Sequence, residues 1–233
     1  MPQLKLLIFL SVLGGLLAID FRGSLRIMLY QPVCSGLLAG LILNEPVKGI
    51  LAGTLLQIIF LGNIYLRGER DLDMPSAGVI SAAVFILVDI RMAGDLSVSG
   101  MVMAGSLLVG ILGGLLGYYL YRFIRTHLSR AVEKAMERSR EGDYRMASFL
   151  HLSMLGVHFL TGSAVCLILI PAGYLLTAEA VAASAGFGGP VEILYIFIPF
   201  IGIGSLLRIV LFKYQAFWFL SGLIIAGAVL AFI

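Results

Sequence analysis

Apolar runs follow one another along this chain from Leu4 to Ile233, and a single long hydrophilic segment, Arg122–Arg145, interrupts them. The runs are Leu4–Ile19, Ile27–Leu43, Val47–Leu66, Pro75–Ile90, Val98–Tyr121, Ala147–Leu176, Pro190–Leu207 and Leu211–Ile233. A lipid-exposed chain must satisfy its own backbone hydrogen bonds, and no alternating barrel pattern is present, so every run is expected to be helical. With 60% hydrophobic and 12% charged residues and a mean hydropathy of +1.04, the chain lies outside the range of soluble domains. The expected fold is an all-α polytopic membrane protein with about seven to eight transmembrane or re-entrant helical segments. Leu6–Ala18 behind Lys5 has the length of a signal-peptide core. Equally apolar segments follow it to the last residue, so it is read as an uncleaved first span.

The stretch Gln31–Gly62 is the most specific part. Two apolar runs meet there at a polar Asn44-Glu45-Pro46 turn, and each is too short for the roughly 30 Å hydrocarbon core, which asks for about 20 residues. Paired short segments broken by Gly and Pro point to a transporter's substrate site. A second interrupted region, Gly186–Gly204, lies in the other half, the placement an inverted repeat would give, although the residues of the two halves do not align.

The chain divides into an N-terminal transmembrane half, 1–121, with a re-entrant hairpin around 31–62, then a cytoplasmic amphipathic helix, 122–146, and a C-terminal transmembrane half, 147–233. The middle segment carries seven basic and four acidic residues, and that basic excess assigns it to the cytoplasm. Ile124, Leu128, Val132 and Met136 recur every four residues, with Gly142 as the expected terminator. Such a helix suits either the membrane surface or a docking face for a cytoplasmic partner. Ala147–Leu176 is too long for one upright span; a kink at Pro171 or first turns outside the hydrocarbon would each resolve this.

Small-xxx-small pairs, Gly36 with Gly40, Gly49 with Gly53, Gly110 with Gly114 and Gly113 with Gly117, mark seams where helix backbones approach closely. Cys34 and Cys166 match no metal-ligand spacing and are read as buried thiols. No His-Glu-x-x-His, Gly-x-Ser-x-Gly or glycine-rich phosphate loop is present. No catalytic residue, metal, cofactor or nucleic-acid partner is therefore expected.

The pattern Pro32, Gly36 or Gly40, Gly49, Gly53-Thr54-Leu55 and Leu61-Gly62 resembles the IIC membrane component of the mannose/fructose/sorbose phosphotransferase systems. The resemblance continues through Ala131-Val132-Glu133-Lys134-Ala135, Gly142 and His151-Leu152-Ser153, and more faintly to Ile203-Gly204 and the final apolar segment. It implies a permease subunit of the bacterial cytoplasmic (inner) membrane that pairs with a IID subunit to move a hexose-type sugar. Soluble IIB and IIA units would supply phosphoryl groups, and the IIC–IID pairs would assemble as oligomers among the membrane lipids. The resemblance also implies a IIC component with no phosphorylated residue of its own; of the three histidines, His127 lies in the basic helix, and His151 and His158 are read as packing or hydrogen-bonding residues.

Sugar binding inside a membrane needs a few polar side chains in an apolar wall. Gln57, mid-run in Leu55-Leu56-Gln57-Ile58-Ile59, is the first candidate, standing where the family usually has glutamate. Its other reading is an interhelical packing bond. Asn63, after the Leu61-Gly62 break, and Gln31, before Pro32 where the family tends to have arginine, come next. Asp73 is the last candidate, since Leu66–Asp73 reads most simply as a solvated loop. That loop departs from the family, which has a glycine- and alanine-rich stretch and then Pro-Asp where this chain has Pro75-Ser76. Two function classes follow: a sugar permease subunit, or a transport-inactive subunit that docks or regulates the phosphorelay.

Overall fold

In the computed structural model, residues 4–22, 27–63, 72–92 and 99–183 are described. They form six α-helices and no strand: α1 Leu4–Arg22, α2 Pro32–Ile42, α3 Pro46–Ile59, α4 Met74–Arg91, α5 Ser99–Arg140 and α6 Arg145–Ala183, with a 3-10 turn at Phe60–Asn63 after α3. Four of them, α1, α4, α5 and α6, are long and apolar enough to cross a membrane. The expected runs Pro190–Leu207 and Leu211–Ile233, and the interrupted region Gly186–Gly204, lie outside the described residues.

The organising helix is α4, which packs against all five others. From Met74 to Ile86 every one of its side chains is buried, so a helix long enough to span is covered by protein on nearly all sides. Its neighbours α2 and α3 form an antiparallel hairpin of 11 and 14 residues, about 16 and 21 Å long at 1.5 Å per residue, each short of a hydrocarbon core. The turn between them is closed by backbone geometry. Asn44 adopts φ 58, Glu45 N–H donates to Gly40 O at 2.8 Å and Asn44 N–H to Leu41 O at 3.3 Å, a Schellman closure in which Asn tolerates the left-handed position. Pro46 then starts α3, where its missing N–H costs nothing.

The glycine pairs of the sequence meet as seams. A side chain at Gly40 would come within 3.0 Å of Gly49 Cα, and one at Gly36 within 3.0 Å of Gly53 Cα, so the hairpin closes only because all four lack a Cβ. On α5, Gly110, Gly114 and Gly117 form a groove for Ser81, Ala77 and Asp73 of α4. Gly14 and Gly162 make the corresponding seam between α1 and α6.

The segment expected as an amphipathic helix, 122–146, continues α5 as far as Arg140. One unbroken helix of 42 residues, about 63 Å long, carries the chain through the apolar stretch and on to Arg140. Gly142 stops it as expected: its φ is +90, and Asp143 N–H donates to Arg138 O at 3.1 Å in a second Schellman closure. The returning α6 contains Pro171 without a break in its helical span. Its first turns run beside the end of α5, where Ala147 and Leu150 line a groove with Val132, Met136 and Arg140. Cys166 is fully buried and Cys34 only half-buried; both are free.

Candidate functional site

The open end of the hairpin brings two sequence candidates together. Gln31 precedes Pro32 and is held extended, at φ −61 and ψ 138, as a residue before proline must be. From there its side-chain Oε1 accepts a 2.8 Å hydrogen bond from Nε2 of Gln57 on the last turn of α3. Gln57 Oε1 is buried and has no hydrogen-bond partner among the described residues. The pair therefore closes the hairpin mouth and leaves one strong acceptor open. Asn63 ends the 3-10 turn one turn and a half further on, and its side chain lies outside the described set.

Asp73 is not the end of a solvated loop. It is fully buried at the N-cap of α4, its N–H donating to Gly114 O at 3.0 Å. The absent side chain of Gly117 makes room for its carboxylate, which a Cβ there would overlap. An N-cap Asp ordinarily accepts from the first helical N–H groups. Here it turns to Arg22, the last residue of α1, whose Nη1 stands 3.7 Å from Asp73 Oδ2. The separation is an ion pair without a hydrogen bond. None of the three guanidinium nitrogens and neither carboxylate oxygen has a hydrogen-bond partner among the described residues.

Aromatic rings enclose this pair. The Arg22 guanidinium lies 4.3 Å from the centre of the Tyr121 ring and 5.4 Å from that of Phe21, a favourable cation–π arrangement. Tyr121 also contacts the buried His158 of α6 at 5.4 Å, and Phe21 contacts Tyr30 at 5.0 Å. Since Tyr30 precedes Gln31, the two polar groups adjoin through aromatic contacts. Pro32 packs on Gly78 of α4, five residues or about 7.5 Å of helix rise from Asp73.

The loop between α1 and α2 is held by a residue the sequence reading passed over. Asp20, buried, accepts from Ile27 N–H at 2.8 Å and Tyr30 N–H at 3.2 Å. These bonds bracket Met28, whose φ of 67 is costly for a residue with a long side chain. Arg22 was likewise missed, because a basic residue at the end of an apolar run reads as an interfacial flank. The available signal was the charged pair Asp20 and Arg22 around an aromatic at the end of the first run.

A third polar group sits at the other end of the hairpin. Lys48 Nζ bridges Asp89 Oδ2 at 3.0 Å and Glu45 Oε1 at 3.3 Å, which ties the turn to the C-terminal part of α4. Among the described residues no three His, Cys, Asp or Glu side chains are grouped to hold a metal ion. His127 is exposed with Nδ1 2.9 Å from Phe123 O, a contact within its own helix.

Residues 3–231 match the family model EII-Sor, described as the PTS system sorbose-specific IIC component. The chain is also similar in fold to a cryo-EM structure of the mannose transporter ManYZ in complex with microcin E492. The TM-score is 0.51 and the identity 18%, over 97% of this chain and 92% of that one. Comparison with curated proteins gives no match.

Proposed function

Because the chain belongs to the family of sorbose-specific IIC components of the phosphotransferase system, and is a membrane permease subunit of that system, we propose that it moves a hexose-type sugar past Gln31, Gln57, Asn63 and Asp73. What supports this placement is the concentration of buried, unpartnered polar atoms at one end of the molecule: Gln57 Oε1 at the hairpin mouth and both oxygens of Asp73 beside it. Buried polar groups without partners cost roughly 1–3 kcal/mol each, and sugar hydroxyls would supply the missing donors. Short helices packed through glycine, with polar groups at their open end, are the architecture transporters use around a site near the membrane midplane.

In this reading Gln57 and Asp73 accept hydrogen bonds from hydroxyls, Arg22 stands beside the Asp73 carboxylate, and the Tyr121 and Phe21 rings shield the pair from water. Translocation follows from movement of the α2–α3 hairpin relative to its neighbours. A IID subunit completes the sugar path, soluble IIB and IIA deliver phosphoryl groups from the side on which residues 122–140 project, and IIC–IID pairs form oligomers in the bacterial cytoplasmic membrane. The name of the ManYZ neighbour makes mannose a first sugar to try.

The test is co-expression with the adjacent IID-like protein in a strain lacking its own systems, followed by uptake of a panel of labelled hexoses. Uptake of at least one sugar, lost in Gln57→Leu with the complex still assembled, supports the assignment. Failure of every sugar overturns transport; full uptake by the variant overturns the site.

A further inference from the structure

Five polar atoms are buried without a hydrogen-bond partner where α1 ends and α4 begins: the three guanidinium nitrogens of Arg22 and both carboxylate oxygens of Asp73. A buried ion pair repays its desolvation only when further hydrogen bonds complete it. Here even the direct bond is missing, because Nη1 and Oδ2 stand 3.7 Å apart. The Tyr121 ring, 4.3 Å from the guanidinium carbon, steadies the charge through its π-face and leaves the N–H donors open. Asp73 is anchored independently, by its N–H bond to Gly114 O at 3.0 Å and by the space that Gly117 leaves for its carboxylate.

The chemistry of what fits between them follows from the two partners. An oxygen about 2.8 Å from each atom closes a triangle on the 3.7 Å base. To satisfy both sides it must accept from the guanidinium and donate to the carboxylate. A hydroxyl does both, whereas an ether or carbonyl oxygen only accepts and an ammonium only donates. The pair also brings one charge of each sign, so a charged ligand group of either sign is attracted by one member and repelled by the other. Ser76 Oγ, three residues further along α4, and Nδ1 of His158, whose ring Tyr121 touches at 5.4 Å, are buried and unpartnered as well. The open hydrogen-bonding positions therefore extend beyond the pair itself.

We propose that Arg22 is a specificity-determining residue of the sugar site, donating to the same sugar hydroxyl from which Asp73 accepts. The ligand class this selects is a neutral hexose with a free hydroxyl at that carbon, and sugars that carry hydrogen, an amine or an acid there are rejected. The inference rests on the placement of Asp73 in the sugar path and adds the donor half of the contact. Gln57 differs in kind: its open Oε1 accepts from a hydroxyl and asks nothing of that hydroxyl as an acceptor.

The test is competition binding on the full chain purified with its membrane partner, first with labelled mannose, glucose, fructose and sorbose, then with the monodeoxy, deoxyfluoro and amino-deoxy analogues of the sugar that binds. At one carbon all three analogues should weaken binding about tenfold or more, because fluorine cannot donate and an ammonium cannot accept. Arg22→Met should cut the ratio between the hexose and its deoxy analogue at that carbon about tenfold and leave the ratios at the other carbons as they are. Tyr121→Leu keeps both charges and frees the guanidinium; it should shrink the same ratio at the same carbon, and it carries the test where Arg22→Met fails to assemble. A purely structural Arg22 would weaken every analogue by one factor, and that result overturns the proposal. Equal binding of all analogues to the unmodified protein, as expected if water alone fills the gap, overturns it too. Binding of no hexose is a separate failure, which removes the sugar site and this contact with it.

Discussion

Gln57 donates to Gln31 across 26 residues of sequence, so the amide pair joins the last turn of α3 to the residue that starts α2. One carbonyl oxygen of the pair, Gln57 Oε1, is buried with no hydrogen-bond partner among the described residues. Replacing Gln57 by Leu should weaken sugar binding by about 1–3 kcal/mol, roughly 5- to 150-fold in Kd. Titration calorimetry on the purified IIC–IID complex measures this. An unchanged Kd with a lowered melting temperature would mean the pair serves packing alone.

Asp73 and Arg22 are expected to fail singly and recover partly together. Asp73→Asn leaves a buried guanidinium without its counter-charge, a loss of about 3–5 kcal/mol in comparable buried pairs. The doubly apolar variant, Arg22→Met with Asp73→Leu, should return most of the folded, monodisperse material on detergent size-exclusion chromatography. It should remain inactive in uptake. Activity in the double variant would remove both residues from the sugar path.

Two glycines of long helices make an internal comparison. A methyl group at Gly117 would stand 2.5 Å from Asp73 Cβ, whereas one at Gly156 meets nothing within 4 Å. Gly117→Ala should cost about 1–3 kcal/mol through overpacking, and Gly156→Ala should gain roughly 0.5–1 kcal/mol through helix propensity. Thermal unfolding in one detergent should move the two midpoints in opposite directions.

At the far end of the hairpin, Lys48→Met should leave Asp89, only 6% exposed, without its cation. A double-mutant cycle with Asp89→Asn should give a coupling of about 0.5–3 kcal/mol. Melting temperatures of the four proteins supply the cycle, and additivity would show that the bridge does not hold the hairpin.

The helices were legible because lipid leaves a backbone no alternative, and the hairpin because its turn and its glycine pairs are local signals. The run Pro75–Ile90 and the observed Met74–Arg91 differ by one residue at each end. What a linear reading could not see was depth. Asp73 at the end of Leu66–Asp73 has the neighbours of a surface residue in sequence, and only the gap at Gly117, 44 positions later, buries it. The same holds for Arg22 and Asp89, whose partners lie on other helices. At residue 121 polarity changes while the backbone hydrogen-bonding pattern does not, because helix propensity crosses the position without interruption.

The other five helices enclose α4, and the order of the chain sets which of its charges is made first. It carries two buried acids, Asp73 and Asp89, and a carboxylate entering a bilayer alone is expensive. The cations that receive them, Arg22 and Lys48, are both translated first, on α1 and α3. The growing chain thus lays down each positive charge before the negative charge that needs it, and α5 and α6 follow in sequence, after both acids and their counter-charges.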